Sequence, residues 1–158
     1  MDEMESSLDK AFSERIEGTD PEAIVVDLTL YLTNLTLATR QGCNLTIAKV
    51  HITTRVIKHL YDRKPAEEFD VVLKNMAKIV RFPDRVYLNK TSKRGSLCFF
   101  KMIGKFMYLC SIETKMTDLE DGVIEEMNYV VTCLRVRDEN YLKGYELLWS
   151  WKGDIPSS

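Results

Sequence analysis

The sequence predicts an α+β fold: two helices packed on a four-stranded antiparallel sheet, with an extra strand pair on the N-terminal side and a closing C-terminal helix. Three observations carry this. Helical apolar spacing runs through two consecutive segments between Ile52 and Pro83. Alternating segments rich in β-branched and aromatic residues follow. The turns between them are short, and short turns join antiparallel neighbours, because parallel strands need long crossovers. With 158 residues and 45% apolar content, the chain is long enough for one domain with a core and too short for two.

Residues 1 to 20 are acidic and polar and are expected to form a loose tail or a marginal helix, leaving a single domain over 21–158. From Val26 to Thr33 the alternation favours a strand burying Val26, Leu28, Leu30 and Leu32, with a helix as the alternative. A turn at Arg40–Asn44 leads to a second strand over Leu45–Ile52 that pairs with the first. Thr53 or Thr54 then caps a helix whose stripe is Val56, Ile57 and Leu60 and which Pro65 stops. Ala66 to Val80 forms the second helix, with Phe69, Val72, Leu73, Met76, Ile79 and Val80 inward and acidic residues at its start, and Pro83 ends it. Four strands follow at Arg85–Leu88, Ser96–Ile103, Phe106–Ile112 and Tyr129–Val136, with an acidic loop over 117–122. Asp138 to Trp149 is expected to close the domain as a helix packing Tyr141, Leu142, Tyr145 and Leu148.

The net charge of -2 conceals a segregation. Residues 1–48 hold 3 basic and 9 acidic side chains, residues 49–105 hold 14 and 5, and residues 106–158 hold 5 and 10. A local excess of that size attracts a polyanion even on a slightly acidic molecule; the plain alternative is two solvated helix faces. Nucleotide-binding glycine loops, a serine-hydrolase elbow and a zinc-protease helix are all missing from the sequence. The four cysteines stand far apart with no C-x-x-C pair, so no metal site and no cofactor is expected, and they read as buried thiols. No apolar run is long enough for a membrane helix, and the acidic start is unlike a signal peptide; a cytoplasmic protein with no membrane partner is the expectation.

The candidate site begins on the first helix, where Arg55, His59 and Arg63 recur every four residues and share one face. Guanidinium groups hold phosphate oxygens in bidentate fashion, and an imidazole between two of them can move a proton near neutral pH. RNA brings its own nucleophile, the 2′-OH, so cleavage needs only proton transfer and stabilisation of the phosphoryl charge. His51 is a second proton-transfer group if it faces the same cleft, and a bystander otherwise. Lys93 and Arg94, in a basic turn over 90–95, would clamp backbone phosphates. Lys101 is a charge in mid-strand and Thr132 a hydroxyl among apolar strand residues; Trp149 and Trp151 either stack on a base or pack locally.

The run from Val50 to Arg63, then Phe82-Pro83-Asp84, Arg85–Leu88, Lys93-Arg94-Gly95, Phe99-Phe100-Lys101, Val130-Val131-Thr132 and Leu148–Trp151, resembles a phage-associated nuclease family of the barnase/EndoU/colicin/RelE-like (BECR) fold group, over about residues 45–150. The resemblance implies metal-independent endoribonuclease activity, as a toxin or phage effector, with RNA as substrate and an inhibitor protein as a further partner. It implies His59, Lys101 and Thr132 as catalytic residues; Arg55, Arg63, Lys93 and Arg94 are the expected substrate ligands. A non-catalytic nucleic-acid or protein-binding module of the same fold is the alternative. Oligomeric state is not legible in the sequence.

Overall fold

A computed structural model describes residues 7–90, 96–118 and 122–151. It has four α-helices and seven strands in one mixed sheet: α1 (Ser7–Arg15), β1 (Thr29–Asn34), α2 (Leu37–Cys43), β2 (Lys49–Thr53), α3 (Thr54–Arg63), α4 (Ala66–Arg81), β3 (Arg85–Leu88), β4 (Leu97–Ile103), β5 (Phe106–Asp118), β6 (Ile124–Val136) and β7 (Glu146–Ser150). The strand order is β1-β2-β6-β5-β4-β3-β7. All pairs are antiparallel except β2 with β6, which run parallel with Val50 opposite Asn128 and His51 opposite Tyr129.

This corrects the expected four-stranded antiparallel sheet. The N-terminal strand pair does not stand apart, because β2 docks in parallel on β6 and makes the sheet mixed. The buried Asn128 holds that junction. Its Nδ2 donates to the carbonyls of Ile47 (3.0 Å) and Lys49 (3.3 Å), and its Oδ1 accepts from Thr114 Oγ1 at 2.6 Å.

At the other edge, the expected closing helix is a single 3-10 turn over Glu139–Leu142 followed by β7. Gly144, at φ +89°, ends the helical turn, and β3 offers an unpaired edge that β7 fills, Arg85 facing Ser150 and Leu88 facing Glu146. The turn expected at 40–44 belongs to α2, which Thr36 caps at the start and Asn44, in the left-handed region at φ 55°, caps at the end. The expected loose tail also contributes to the core: Leu8 and Ala11 of α1, and Ile16 beyond it, are buried. Val26, expected inside, is exposed, because β1 starts three residues later and the Val26 carbonyl is taken by Thr54 Oγ1 at 2.6 Å.

Helix α4 organises the inner layer. Val72, Met76, Ile79 and Val80 are wholly buried against Phe99, Cys110, Cys133 and their strand neighbours. Two adjacent residues at its C-terminal end reach strands far apart in the sheet: Arg81 Nη1 donates to Asn34 O of β1 (3.0 Å), and Phe82 O accepts from Lys101 of β4 (2.6 Å). In a flat sheet the first and fifth strands lie roughly 19 Å apart. The sheet therefore curls around that end of α4, and α2 reaches β7, with Gly42 against the Trp149 ring. A second, smaller core of Tyr87, Cys98, Phe100 and Leu109 forms on the outer face under Leu142, Tyr145 and Leu147. Among the described residues no helix is long and apolar enough to cross a membrane.

Candidate nucleic-acid interface

Helix α3 has two faces with opposite tasks. Its inward face ties down the segment that leads into β1. Thr54 is fully buried, and its Oγ1 accepts from Leu28 N (2.8 Å) while donating to Val26 O. Lys58 is buried and donates to Asp20 O (2.7 Å) and to Asp62 Oδ1 (2.6 Å). Asp62 Oδ2 accepts from Glu22 N at 2.9 Å, and the Lys58 ammonium holds the Asp62 carboxyl below the usual range. The outward face carries Arg55, His59 and Arg63, all exposed. Among the described residues, neither Arg55 nor His59 has a hydrogen-bond or ion-pair partner. The helical spacing thus sorts the cations of one helix into a committed one and a set that faces solvent.

The first turn of α3, capped by the Thr53 hydroxyl on Val56 N (3.3 Å), opens onto a cleft of about 340 Å³ lined by Thr53, Arg55, Lys115, Thr117, Tyr129 and Val131, among others. This cleft involves the outer face of the sheet. Val50, Ile52, Ile112 and Val130 all point into the inner core, so His51, Glu113 and Tyr129, which alternate with them, point outward. Their rings form a row, His51 lying 6.1 Å from Tyr31 and 6.2 Å from Tyr129 between centroids. The Tyr129 hydroxyl lies 3.1 Å from Thr117 Oγ1, and Lys115 Nζ stands 5.8 Å from the Tyr129 ring centre. His51 is pushed below its ordinary pKa by burial and by nearby Lys49, with Glu125 opposing, and its Nδ1 has no partner among the described residues.

The predicted site residues separate into groups. Thr132 lies on the outer face opposite Ser111, because Cys133 beside it is buried in the inner core. A bulge at Val131, where Ile112 pairs with Val130 and Ser111 with Thr132, lets Tyr129 and Thr132 share that face although they are three residues apart. Arg55 lines the same cleft as Val130 and Val131, the residues just before Thr132. Lys101 does not join them. It follows the parity of the inward Phe99, pairs with the inward Tyr108, and is committed to Phe82 O and to Asp84 Oδ1 at 3.6 Å. Lys93 and Arg94 lie outside the described residues. Lys115 and Tyr129 are additions that the sequence did not single out. Lys115 lies in a strand portion longer than alternation indicated, although Glu113-Thr114-Lys115-Met116-Thr117 does continue the β-branched pattern, and Tyr129, the first residue of the expected fourth strand, sits inside a β6 that begins at Ile124.

The fold and cleft define an α+β domain with a curled mixed sheet and, beside one helix, a partly aromatic outer surface where Arg55 and Lys115 line the cleft together with Asp118. Compared with protein-family models, curated proteins and solved structures, the chain matches none. Among the described residues no cluster of three or more histidine, cysteine, aspartate or glutamate side chains could hold a metal ion.

Proposed function

We propose that this chain is an RNA-binding module that holds the phosphate backbone along the exposed face of α3 and in the adjoining cleft. One observation carries the reading: Arg55 and His59 are exposed and uncommitted among the described residues, while Lys58 and Lys101 are engaged by the protein itself. Arg63 extends the row, Lys115 adds a cation across the cleft, and Tyr129 and Thr117 bring hydroxyls. Guanidinium groups suit phosphate by planar, bidentate bonding, and the charge excess of residues 49–105 favours a polyanion over a neutral partner.

A second reading, metal-independent cleavage of RNA in the cytosol by a toxin or phage effector with its own inhibitor protein, keeps one specific support. Arg55 shares its cleft with the two residues that precede Thr132, and His59 stands one helical turn from Arg55. In that case His59 moves the proton and Thr132 donates to the phosphate. Lys101, held on the opposite face of the sheet, is left out of the cleft.

The test is anisotropy of a labelled mixed-sequence RNA at several salt concentrations in EDTA, with the product ends mapped from the same samples. Arg55→Ala with Arg63→Ala weakens binding and lowers the salt slope by about 0.7 per lost single-strand phosphate contact, whereas His59→Ala changes it little. Unchanged affinity and slope in the double variant would remove the α3 interface. Cleavage that survives chelation, leaves a 2′,3′-cyclic phosphate and disappears in His59→Ala would replace the binding module with the nuclease.

A further inference from the structure

Away from α3, the strand end at Trp151 carries two cavities that share one wall. The first, about 340 Å³, is lined by Arg85, Tyr87, Phe100, Met107, Leu142 and Trp151 among others. The second, about 370 Å³, includes Thr36, Arg81, Phe82, Trp149 and Trp151. Trp151 is 61% exposed and lines both, together with Asp84 and Lys101. The first cavity belongs to the outer face, where Tyr87 and Phe100 meet edge-to-face at 5.3 Å, and the second to the inner face beside Trp149. Each contains aromatic rings and one arginine. Arg85 Nη1 donates to the Tyr87 hydroxyl at 3.3 Å, and the Arg81 guanidinium lies 5.3 Å from the Phe82 ring centre. The acidic group present, Asp84, is already occupied by Met102 N (2.8 Å) and by Lys101, so it does not oppose a polyanion with a free carboxylate.

We propose that this strand end is a base-stacking site for single-stranded RNA, which passes the end of the β3–β4 pair with one base in each cavity and Trp151 between them. The choice of ligand rests on the RNA-binding reading above, but the surface is separate from α3. Three features favour RNA over a peptide. Stacking platforms for single strands combine exposed aromatic rings with flanking arginines; here the exposed rings are Trp151, which both cavities share, and Phe82 in the second, with Arg85 and Arg81 beside them, while the buried Tyr87 and Phe100 form the apolar floor of the first. Each cavity is at the small end of the range for ligand sites, about 300–1,000 Å³, and suits one planar group rather than an extended side-chain ladder. The cations lie at both cavities, so they can follow a backbone charged at every residue.

The protein carries its own reporter, because its two tryptophans, Trp149 and Trp151, both line this site. The full chain is titrated with an RNA hexamer while tryptophan fluorescence and anisotropy are followed together. Saturable quenching is expected, with affinity lowered roughly 5- to 100-fold in Trp151→Ala and partly restored in Trp151→Phe. Circular dichroism of each variant controls for folding. If anisotropy reports binding that Arg55→Ala with Arg63→Ala abolishes while fluorescence never changes, the α3 interface stands and the Trp151 site is overturned. If Trp151→Ala removes binding that the α3 variants leave intact, the reverse holds. No binding to RNA overturns both, and quenching by a proline-rich peptide but not by RNA overturns the choice of ligand.

Discussion

The ammonium of Lys101 donates to the carbonyl of Phe82 at 2.6 Å, closing the C-terminal end of α4 onto β4. Phe82 caps α4, and this bond satisfies a backbone carbonyl at the helix end that would otherwise need water or another donor. The lysine is therefore engaged in joining a helix to the sheet. Lys101→Met should lower stability by about 1.5–3 kcal/mol, the range for a hydrogen bond to a charged group, and, in a Trp151→Ala background that lacks the stacking site, leave RNA affinity within about twofold. Urea unfolding and anisotropy on the same variant separate the two effects. Lost affinity with unchanged stability would return Lys101 to the site.

Acid sensitivity should concentrate at the other end of α4. Glu68 is buried and accepts from Arg135 N at 3.1 Å and from the Arg137 guanidinium. Burial by itself would raise its carboxyl, but the bonds from Arg137 and Arg135 outweigh it and hold the group below the ordinary glutamate range. A lowered folded-state value means stability that is fully present above the unfolded value, about 4.3, and is lost as pH falls through the folded one. The urea midpoint of the wild type should therefore drop below about pH 4.3 more steeply than that of Glu68→Gln. Parallel pH profiles for the two proteins would assign the acid loss to other carboxylates.

Asn128 should prove one of the most sensitive polar positions. It is fully buried and bridges β2 to β6 with both ends of its amide. Asn128→Leu leaves two carbonyls and the Thr114 hydroxyl without this partner, at a cost of about 2–3 kcal/mol. Hydrogen exchange should accelerate first in β1 and β2, since only two register pairs connect β2 with β6. Uniform acceleration across the sheet would contradict that order.

Gly42 marks where α2 meets β7. A Cβ at this position would run into the Trp149 indole. Gly42→Ala should therefore destabilise by about 1–3 kcal/mol, although alanine is the better helix former and α2 is a helix. Intrinsic fluorescence should shift as Trp149 is displaced. A stabilised variant with an unchanged spectrum would mean that the two elements are not in contact.

The periodic elements were legible, and their faces were legible only where one side is wet. Helices α3 and α4 occupy the expected stretches because Thr53, Pro65 and Pro83 delimit them and their apolar residues recur at helical spacing. Strand β4 is buried over Leu97–Phe100 on both faces, so alternation there carries no sign of which side faces α4, and the side of Lys101 was not readable. On β6 the bulge at Val131 shifts the parity between Tyr129 and Thr132, which no local pattern announces.

The sequence by itself determined the two central helices, the positions of β3 and β4, the start of β5 and the end of β6, the charge excess of the middle third and the exposed stripe of Arg55, His59 and Arg63. These follow from spacing, proline stops and composition, which act over a few residues. Tertiary structure decided the rest. It made Glu146–Ser150 a strand because β3 had an open edge, drew β2 onto β6 in parallel through Asn128, buried Lys58 against the carbonyl of Asp20, and put Lys101 and Thr132 on opposite faces of the sheet. Each of these depends on a partner tens of residues away, whose position is set by packing around α4 rather than by any local preference.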